Sequence, residues 1–226
     1  ASNDVAICIG GSTTISATGG STYAWNNGLG AGASHTVSPT ATTTYTVTGT
    51  DANGCVNTDQ VVVTVNPLPT ATIAGTTTVC QGDAAQTITF TGANGSSEYE
   101  FTYSLNGGTS QTITTSGSNT VTITVPTTAS GTFTYELQGV EDVTTGCGQP
   151  QTGTAAVTVN PMPDATVAGT VVVCQQDGAP VITFTGTNSS GDYTFTYSLN
   201  GGADQTLTTS GTNTATVTVP TTTAGT

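Results

Sequence analysis

The chain contains a long, nearly exact internal repeat. "ATIAGTTTVCQGDAAQTITFTGANGSSEYEFTYSLNGG" starts at Ala71, and "ATVAGTVVVCQQDGAPVITFTGTNSSGDYTFTYSLNGG" starts at Ala165, 94 residues later and without a gap. Solenoid coils repeat every 20–50 residues, so this period is too long for one. It matches a sandwich domain of about 100 residues. Two punctuation marks agree. "VVVTVNPLP" ends at Pro69 and "AAVTVNPMP" ends at Pro163. Each is an apolar strand closed by Asn-Pro-x-Pro, and proline can neither continue a central strand nor leave a short linker floppy. The expected domains are 1–66, 67–160 and 161–226. The last is a copy of the second, truncated at its C-terminal end opposite Thr132.

Within a repeat the apolar period is 2. Ile88 and Phe90 share a parity in "TITFTG", as do Phe101, Tyr103 and Leu105 in "FTYSL", Val121, Ile123 and Val125 in "TVTITV", and Phe133, Tyr135 and Leu137 in "TFTYEL". Thr and Ser fill most alternate positions. This is the pattern of a strand with one buried face. Asn-Gly in "LNGG", at 105–108 and again at 199–202, is a hairpin signal because it supplies two positive φ angles. No helical period is present. The predicted fold is all-β: tandem immunoglobulin-like β-sandwich domains forming an elongated rod.

Charge narrows the function. Among 226 residues there is no Lys or Arg against 13 Asp and Glu, a net charge of −13. Without cations to neutralise phosphate, nucleic-acid binding is excluded as a role, and so are a P-loop and Schiff-base chemistry. No apolar run approaches the roughly 20 residues of a membrane span, so membrane insertion by this segment is not expected. No signal peptide is visible before the first repeat, and the chain reads as a mature or excised fragment.

The five cysteines, Cys8, Cys55, Cys80, Cys147 and Cys174, fit an exported protein, where disulfides persist. Domains 1–66 and 67–160 each carry one early and one late cysteine. The expected bridges are Cys8–Cys55 and Cys80–Cys147, each contributing roughly 3–4.7 kcal/mol in the chain-entropy model. Cys174 occupies the place of Cys80, so its partner is expected near position 241. A zinc site is not expected, since there is no CxxC and only one histidine. No catalytic residues are assigned, because no nucleophile motif supports His35, which reads as an exposed polar residue. Trp25 reads as core beside a disulfide. Tyr99 and Tyr193, at strand starts, are the candidate ligand contacts. Asp51, Glu141 and Asp142 are the candidate oxygen ligands for Ca²⁺, against the plainer reading of solvated turn acids. No other cofactor is expected.

"STYAWNNGLG" in the first domain, with its Tyr-x-Trp-x-x-Gly order, resembles the polycystic-kidney-disease (PKD) type of immunoglobulin-like domain. "SPTATTTYTVTGTDANGC" (38–55) and "YSLNGG" (103–108 and 197–202) are similar to the tandem arrays of large secreted surface proteins of Bacteroidota. That resemblance implies export by the type IX route and an extracellular place at the cell surface, attached to the outer membrane. It implies a non-enzymatic adhesin stalk or multivalent shaft, including the gliding adhesins, or else a carbohydrate-binding accessory region of a secreted polysaccharide-degrading enzyme. The implied partners are further copies of the repeat and a surface polysaccharide.

Without Lys or Arg the chain offers trypsin no site. Reduced and unfolded, it is expected to survive trypsin intact, whereas a Glu-specific protease cuts at Glu98, Glu100, Glu136 and Glu141. Mass spectrometry of the two digests checks this.

Overall fold

The computed structural model describes residues 1–223, and its described residues form strands without a helix. Residues 224–226, the last of the expected third domain, lie outside the described residues. By compactness the chain divides into two units. One takes Ala1–Thr76, Gln86–Val125 and Phe133–Ala156; the other takes Thr77–Ala85, Pro126–Thr132 and the chain from Val157 onward.

The first seven strands are β1 (Val5–Cys8), β2 (Thr13–Ser16), β3 (Thr22–Trp25), β4 (Gly30–Ala31), β5 (Ser34–Val37), β6 (Thr43–Thr50) and β7 (Val56–Asn66). One sheet has the order β1-β7-β6-β3-β4 and the other is the pair β2-β5. Ile15 and Val37 from the small sheet bury against Trp25, Tyr45, Val47, Val61 and Val63 from the large one. Most neighbours are antiparallel, but β1 lies parallel to β7, with Cys8 opposite Asn66 at the far end. Asn27 and Gly28 turn β3 into β4 with both φ angles positive (52° and 75°), the geometry that suits the twist of a hairpin.

The next eight strands are β8 (Thr70–Ala74), β9 (Thr77–Cys80), β10 (Gln86–Ala93), β11 (Tyr99–Leu105), β12 (Gln111–Thr114), β13 (Thr120–Val125), β14 (Gly131–Asp142) and β15 (Cys147–Asn160). They give the sheets β13-β10-β8 and β12-β11-β14-β15-β9. The alternation seen in the sequence becomes the core. Phe90 from one sheet meets Phe101 and Tyr103 from the other, with ring centroids 5.6 and 5.3 Å apart. As in the first sandwich, the early strand is parallel to the last: β9 pairs with the end of β15, Cys80 opposite Asn160. Two facing sheets in this order are an immunoglobulin-like β-sandwich.

The remaining strands are β16 (Asp164–Ala168), β17 (Val181–Thr187), β18 (Thr194–Tyr197), β19 (Gln205–Thr208) and β20 (Thr214–Thr218), in the sheets β16-β17-β20 and β18-β19. They reproduce β8, β10, β11, β12 and β13. Among the described residues nothing stands for β14 and β15. The stretch Val171–Val173, matching β9, therefore has no ladder and is exposed, Val172 at 97%.

One glycine shows how closely the repeat is packed. A Cβ on Gly92 would sit 2.4 Å from the Tyr99 ring, and one on Gly186 would sit 2.2 Å from the Tyr193 ring. Gly92→Ala is expected to lower stability by about 1–3 kcal/mol through overpacking, read by thermal or denaturant unfolding against the unchanged chain.

Candidate functional site

The ends of the sandwiches carry the chemistry. Two sequence elements mark the opposite ends of a sandwich: the turn that follows the early parallel strand, and the hairpin before the long last strand. Cys8, Cys80 and Cys174 occupy the first kind of place. Each begins a tight turn, in which its carbonyl accepts from Gly11, Asp83 and Asp177 N–H at 2.9, 3.1 and 3.1 Å. In the two copies an aspartate closes the turn: Cys80 N–H donates to Asp83 and Cys174 N–H to Asp177, both at 2.8 Å. Cys55 and Cys147 occupy the second kind of place. Each follows a positive-φ glycine, Gly54 (83°) and Gly146 (67°), directly before or at the start of the last strand.

Cys8 is bonded to Cys147, with Cα atoms 5.6 Å apart, inside the usual disulfide range. Cys55, Cys80 and Cys174 are free and exposed. The expected bridges Cys8–Cys55 and Cys80–Cys147 are thus not formed, for a geometric reason. Cys55 precedes the first residue of β7, while Cys8 pairs with Asn66 at its end. Eleven residues of strand at about 3.3 Å each separate them, far beyond the roughly 7 Å a disulfide can span. The second sandwich has the same register: Cys147 opens β15 and Cys80 pairs with Asn160, which closes it.

The observed bond therefore ties the end of one sandwich to the beginning of the next in sequence. It closes a loop with a separation of 139 residues, for which the chain-entropy model gives about 5 kcal/mol. Beside Cys147, two hydrogen bonds fix the end of the linker to the second sandwich. Gln149 Nε2 donates to the Pro69 carbonyl at 2.7 Å, and Gln151 Oε1 accepts from Ala71 N–H at 3.4 Å. Pro69 is fully buried. The proline linker is a packed joint.

The acids have structural partners. Asp51 Oδ1 accepts from Asn53 and Cys55 N–H, both at 2.8 Å, which caps the hairpin. The Cys55 bond foremost, then the Asn53 bond, hold its carboxyl below the usual range. Asp142 is 2% exposed and accepts from Ser96 N–H (2.8 Å), Ser96 Oγ and Thr144 N–H (3.0 Å). Burial pushes its pKa up, but the Ser96 and Thr144 bonds outweigh this and leave it below the ordinary 3.8. Glu141 stands on β14 opposite Glu100 on β11. Among the described residues no three such side chains converge as metal ligands, so the three Ca²⁺ candidates are not brought together.

Other sequence candidates move as well. Tyr99 and Tyr193 are buried at 2% and 8% exposure. They stack on Phe101 and Phe195, and their hydroxyls accept from Gly95 and Ser189 N–H at 3.0 Å. They are core, and unavailable as ligand contacts. Their parity with Phe101 and Phe195 was the signal for this. His35 is half-buried, with its ring edge-on to Trp25 at 6.1 Å, because it shares the inward parity of Val37. Trp25 is buried, as expected, and its Nε1 donates to the Gly32 carbonyl at 2.9 Å. Its neighbour in the core is His35 rather than a disulfide.

No protein-family model and no curated protein sequence matches the chain. Among solved structures it is similar to a three-immunoglobulin-domain fragment of titin in a Glu-to-Ala variant, 13% identical over 96% of this chain and 94% of that one, with a TM-score of 0.51. That likeness is one of fold and agrees with tandem immunoglobulin-like sandwiches. A structure described as a Ca²⁺-stabilized adhesin that helps an Antarctic bacterium bind ice aligns at a TM-score of 0.42, 19% identical over 96% of this chain. The present chain covers 63% of the chain in that structure. A tetra-tandem repeat from the extending region of a large adhesion protein aligns at 0.34, 16% identical, over 88% of this chain and 58% of that one.

Asp142→Asn is expected to lose about 1–3 kcal/mol at neutral pH, because a charged acceptor of several buried donors is removed. The native carboxyl titrates below its unfolded value, so its contribution is complete above about pH 4 and is lost as the pH falls through the lower folded value. Unfolding measured from pH 7 to pH 2 should show the gap between the two proteins closing at the acid end.

Proposed function

We propose that this chain is a non-enzymatic repeat region of a large extracellular adhesin at the bacterial cell surface, acting as its stalk or multivalent shaft. The observation that carries the reading is the Cys8–Cys147 bond, which fastens consecutive sandwiches to each other instead of closing each one on itself. A chain whose function is to transmit position or tension needs firm joints between repeats. Near-identical repeats fit a spacer, in which no single copy holds a unique site. The tandem immunoglobulin-like fold supports the same reading. The sequence likeness to type IX-exported Bacteroidota arrays, including gliding adhesins, supplies the more specific version, with attachment to the outer membrane. The turn carboxylates Asp51 and Asp142 are engaged by backbone N–H groups. The alternative, a carbohydrate-binding accessory region, loses its best sequence support with the burial of Tyr99 and Tyr193.

Small-angle scattering tests the shaft. A compact globule of this length has a radius of gyration of about 17 Å. A shaft is expected at about 30 Å or more, since each sandwich is roughly as long as its 14-residue last strand. A value near 17 Å would overturn the reading. Saturable binding to an immobilised polysaccharide would favour the accessory-region alternative.

A further inference from the structure

We propose that the cysteines form a staggered disulfide ladder, in which the early-strand cysteine of each sandwich bonds to the hairpin cysteine of the sandwich that follows it. Cys8–Cys147 is one complete rung. Cys80 and Cys174 are the outgoing halves of later rungs, and Cys55 is the incoming half of an earlier one. Their partners are cysteines in neighbouring copies of the repeat along the natural polypeptide. The inference goes beyond the adhesin reading and does not depend on what the array binds.

Equivalence is the first argument. The turns at Cys8, Cys80 and Cys174 share one backbone hydrogen bond, and Cys80 and Cys174 share the same aspartate contact at the same distance. Cys8 in that setting is bonded, whereas Cys80 and Cys174 are exposed thiols. Their own sandwiches cannot supply a partner, because the hairpin cysteine lies at the opposite end of the last strand. On the 94-residue period the cysteine next after Cys147 falls at position 241. The ladder gives that position to Cys80 and moves the partner of Cys174 one repeat further on, which revises the pairing expected from sequence alone.

The joints supply the second argument. Around the complete rung, Pro69 is buried and its carbonyl accepts from Gln149. Its counterpart one period later, Pro163, is exposed, as are Pro161 and Met162. That linker has the same sequence pattern, and no β15-type strand follows it among the described residues. At the other end, a cleft of about 330 Å³ lies beside Cys55. Its lining includes Asn57 and Asp59, two and four residues after Cys55, where Gln149 and Gln151 stand after Cys147. Gln149 and Gln151 are the side chains that hold the linker in the complete rung. Ala1 lines the cleft too, and its ammonium pairs with Asp59 as Ala71 N–H pairs with Gln151 beside the complete rung.

Each rung joins two thiols as one S–S bond and releases two protons and two electrons. The electrons pass by thiol–disulfide exchange to a disulfide oxidant of the export pathway, which is reduced to its dithiol. The staggered order has a mechanical consequence. From Cys147 a covalent path runs 27 residues to Cys174 and then crosses a rung, so that it advances two repeats for about 95 Å of backbone. Much of that stretch is already extended in β15 and β16. Pulling such an array cannot unravel a sandwich.

The test is disulfide mapping without reduction. Free thiols are alkylated in the full-length protein and in this chain, and both are cut with Glu- and Asp-directed proteases. In this chain a Cys8–Cys147 peptide pair is expected, with Cys55, Cys80 and Cys174 carrying the label. In the full-length protein the Cys80 peptide is expected to be joined to the hairpin cysteine of the next repeat. Peptide pairs Cys8–Cys55 or Cys80–Cys147, or an alkylated Cys80 in the full-length protein, would overturn the ladder. Single-molecule pulling gives an independent reading: steps of about 330 Å per repeat only after reductant is added support it, and the same steps without reductant overturn it. A failed ladder would leave the scattering result untouched, so the two proposals fail separately.

Discussion

The organisation of the chain follows from the parallel pairing of an early strand with the last strand of the same sandwich. In the first sandwich that pairing runs from Val5 opposite Val63 to Cys8 opposite Asn66; in the second it runs from Thr77 opposite Val157 to Cys80 opposite Asn160. A parallel pair cannot be closed by a tight turn, so the two strands come from opposite ends of the domain sequence and hold it together. The same register carries the early cysteine to the end of the domain from which the chain leaves. The hairpin cysteine stays at the end where the chain enters. A domain built this way presents one thiol to each neighbour and no pair to itself.

The absence of cations determines how the acids are used. The chain's ammonium terminus pairs with Asp59, and every other carboxylate must find neutral donors or water. Four aspartates accept backbone N–H groups in or beside the cysteine turns: Asp51 from Cys55, Asp83 from Cys80, Asp177 from Cys174, and Asp142 from Thr144 and Ser96. A charged acceptor on a backbone N–H is among the stronger hydrogen bonds available. These contacts order the turns that position the thiols. Of the residues that the sequence offers as calcium ligands, Asp51 and Asp142 accept backbone N–H groups of their hairpins, while Glu141 stands on β14 opposite Glu100.

The strands and the Asn-Gly turns were legible because each is local: a period of 2, a positive-φ pair. Asn106 and Gly107 adopt φ of 52° and 68° as their sequence demands, and Asn200 and Gly201 follow at 51° and 69°. The cysteine pairing was not legible, because it depends on which strand lies beside which, and alternation does not encode a partner. Three residues were misread although a local signal existed. Tyr99 and Tyr193 share the parity of Phe101 and Phe195, and His35 that of Val37, so all three belong to the inward face. Position at the start of a strand suggested exposure, and parity was the better guide.

A bridge inside a domain and a bridge between domains stabilise different things. The first would constrain one sandwich and leave its linker free to bend or peel. The second closes a loop across a joint, so that separation of the two sandwiches and unfolding of either one oppose the same bond. It acts together with a buried proline and a glutamine that holds its carbonyl. Each contact alone is modest, since a single neutral hydrogen bond adds about 1 kcal/mol. Held within one covalent loop, they are lost only together. A repeat that carries this joint needs nothing from its surface charge, which is free to remain uniformly negative. That uniform charge opposes close approach of one copy of the chain to another, while the Cys8–Cys147 bond holds the first two sandwiches together.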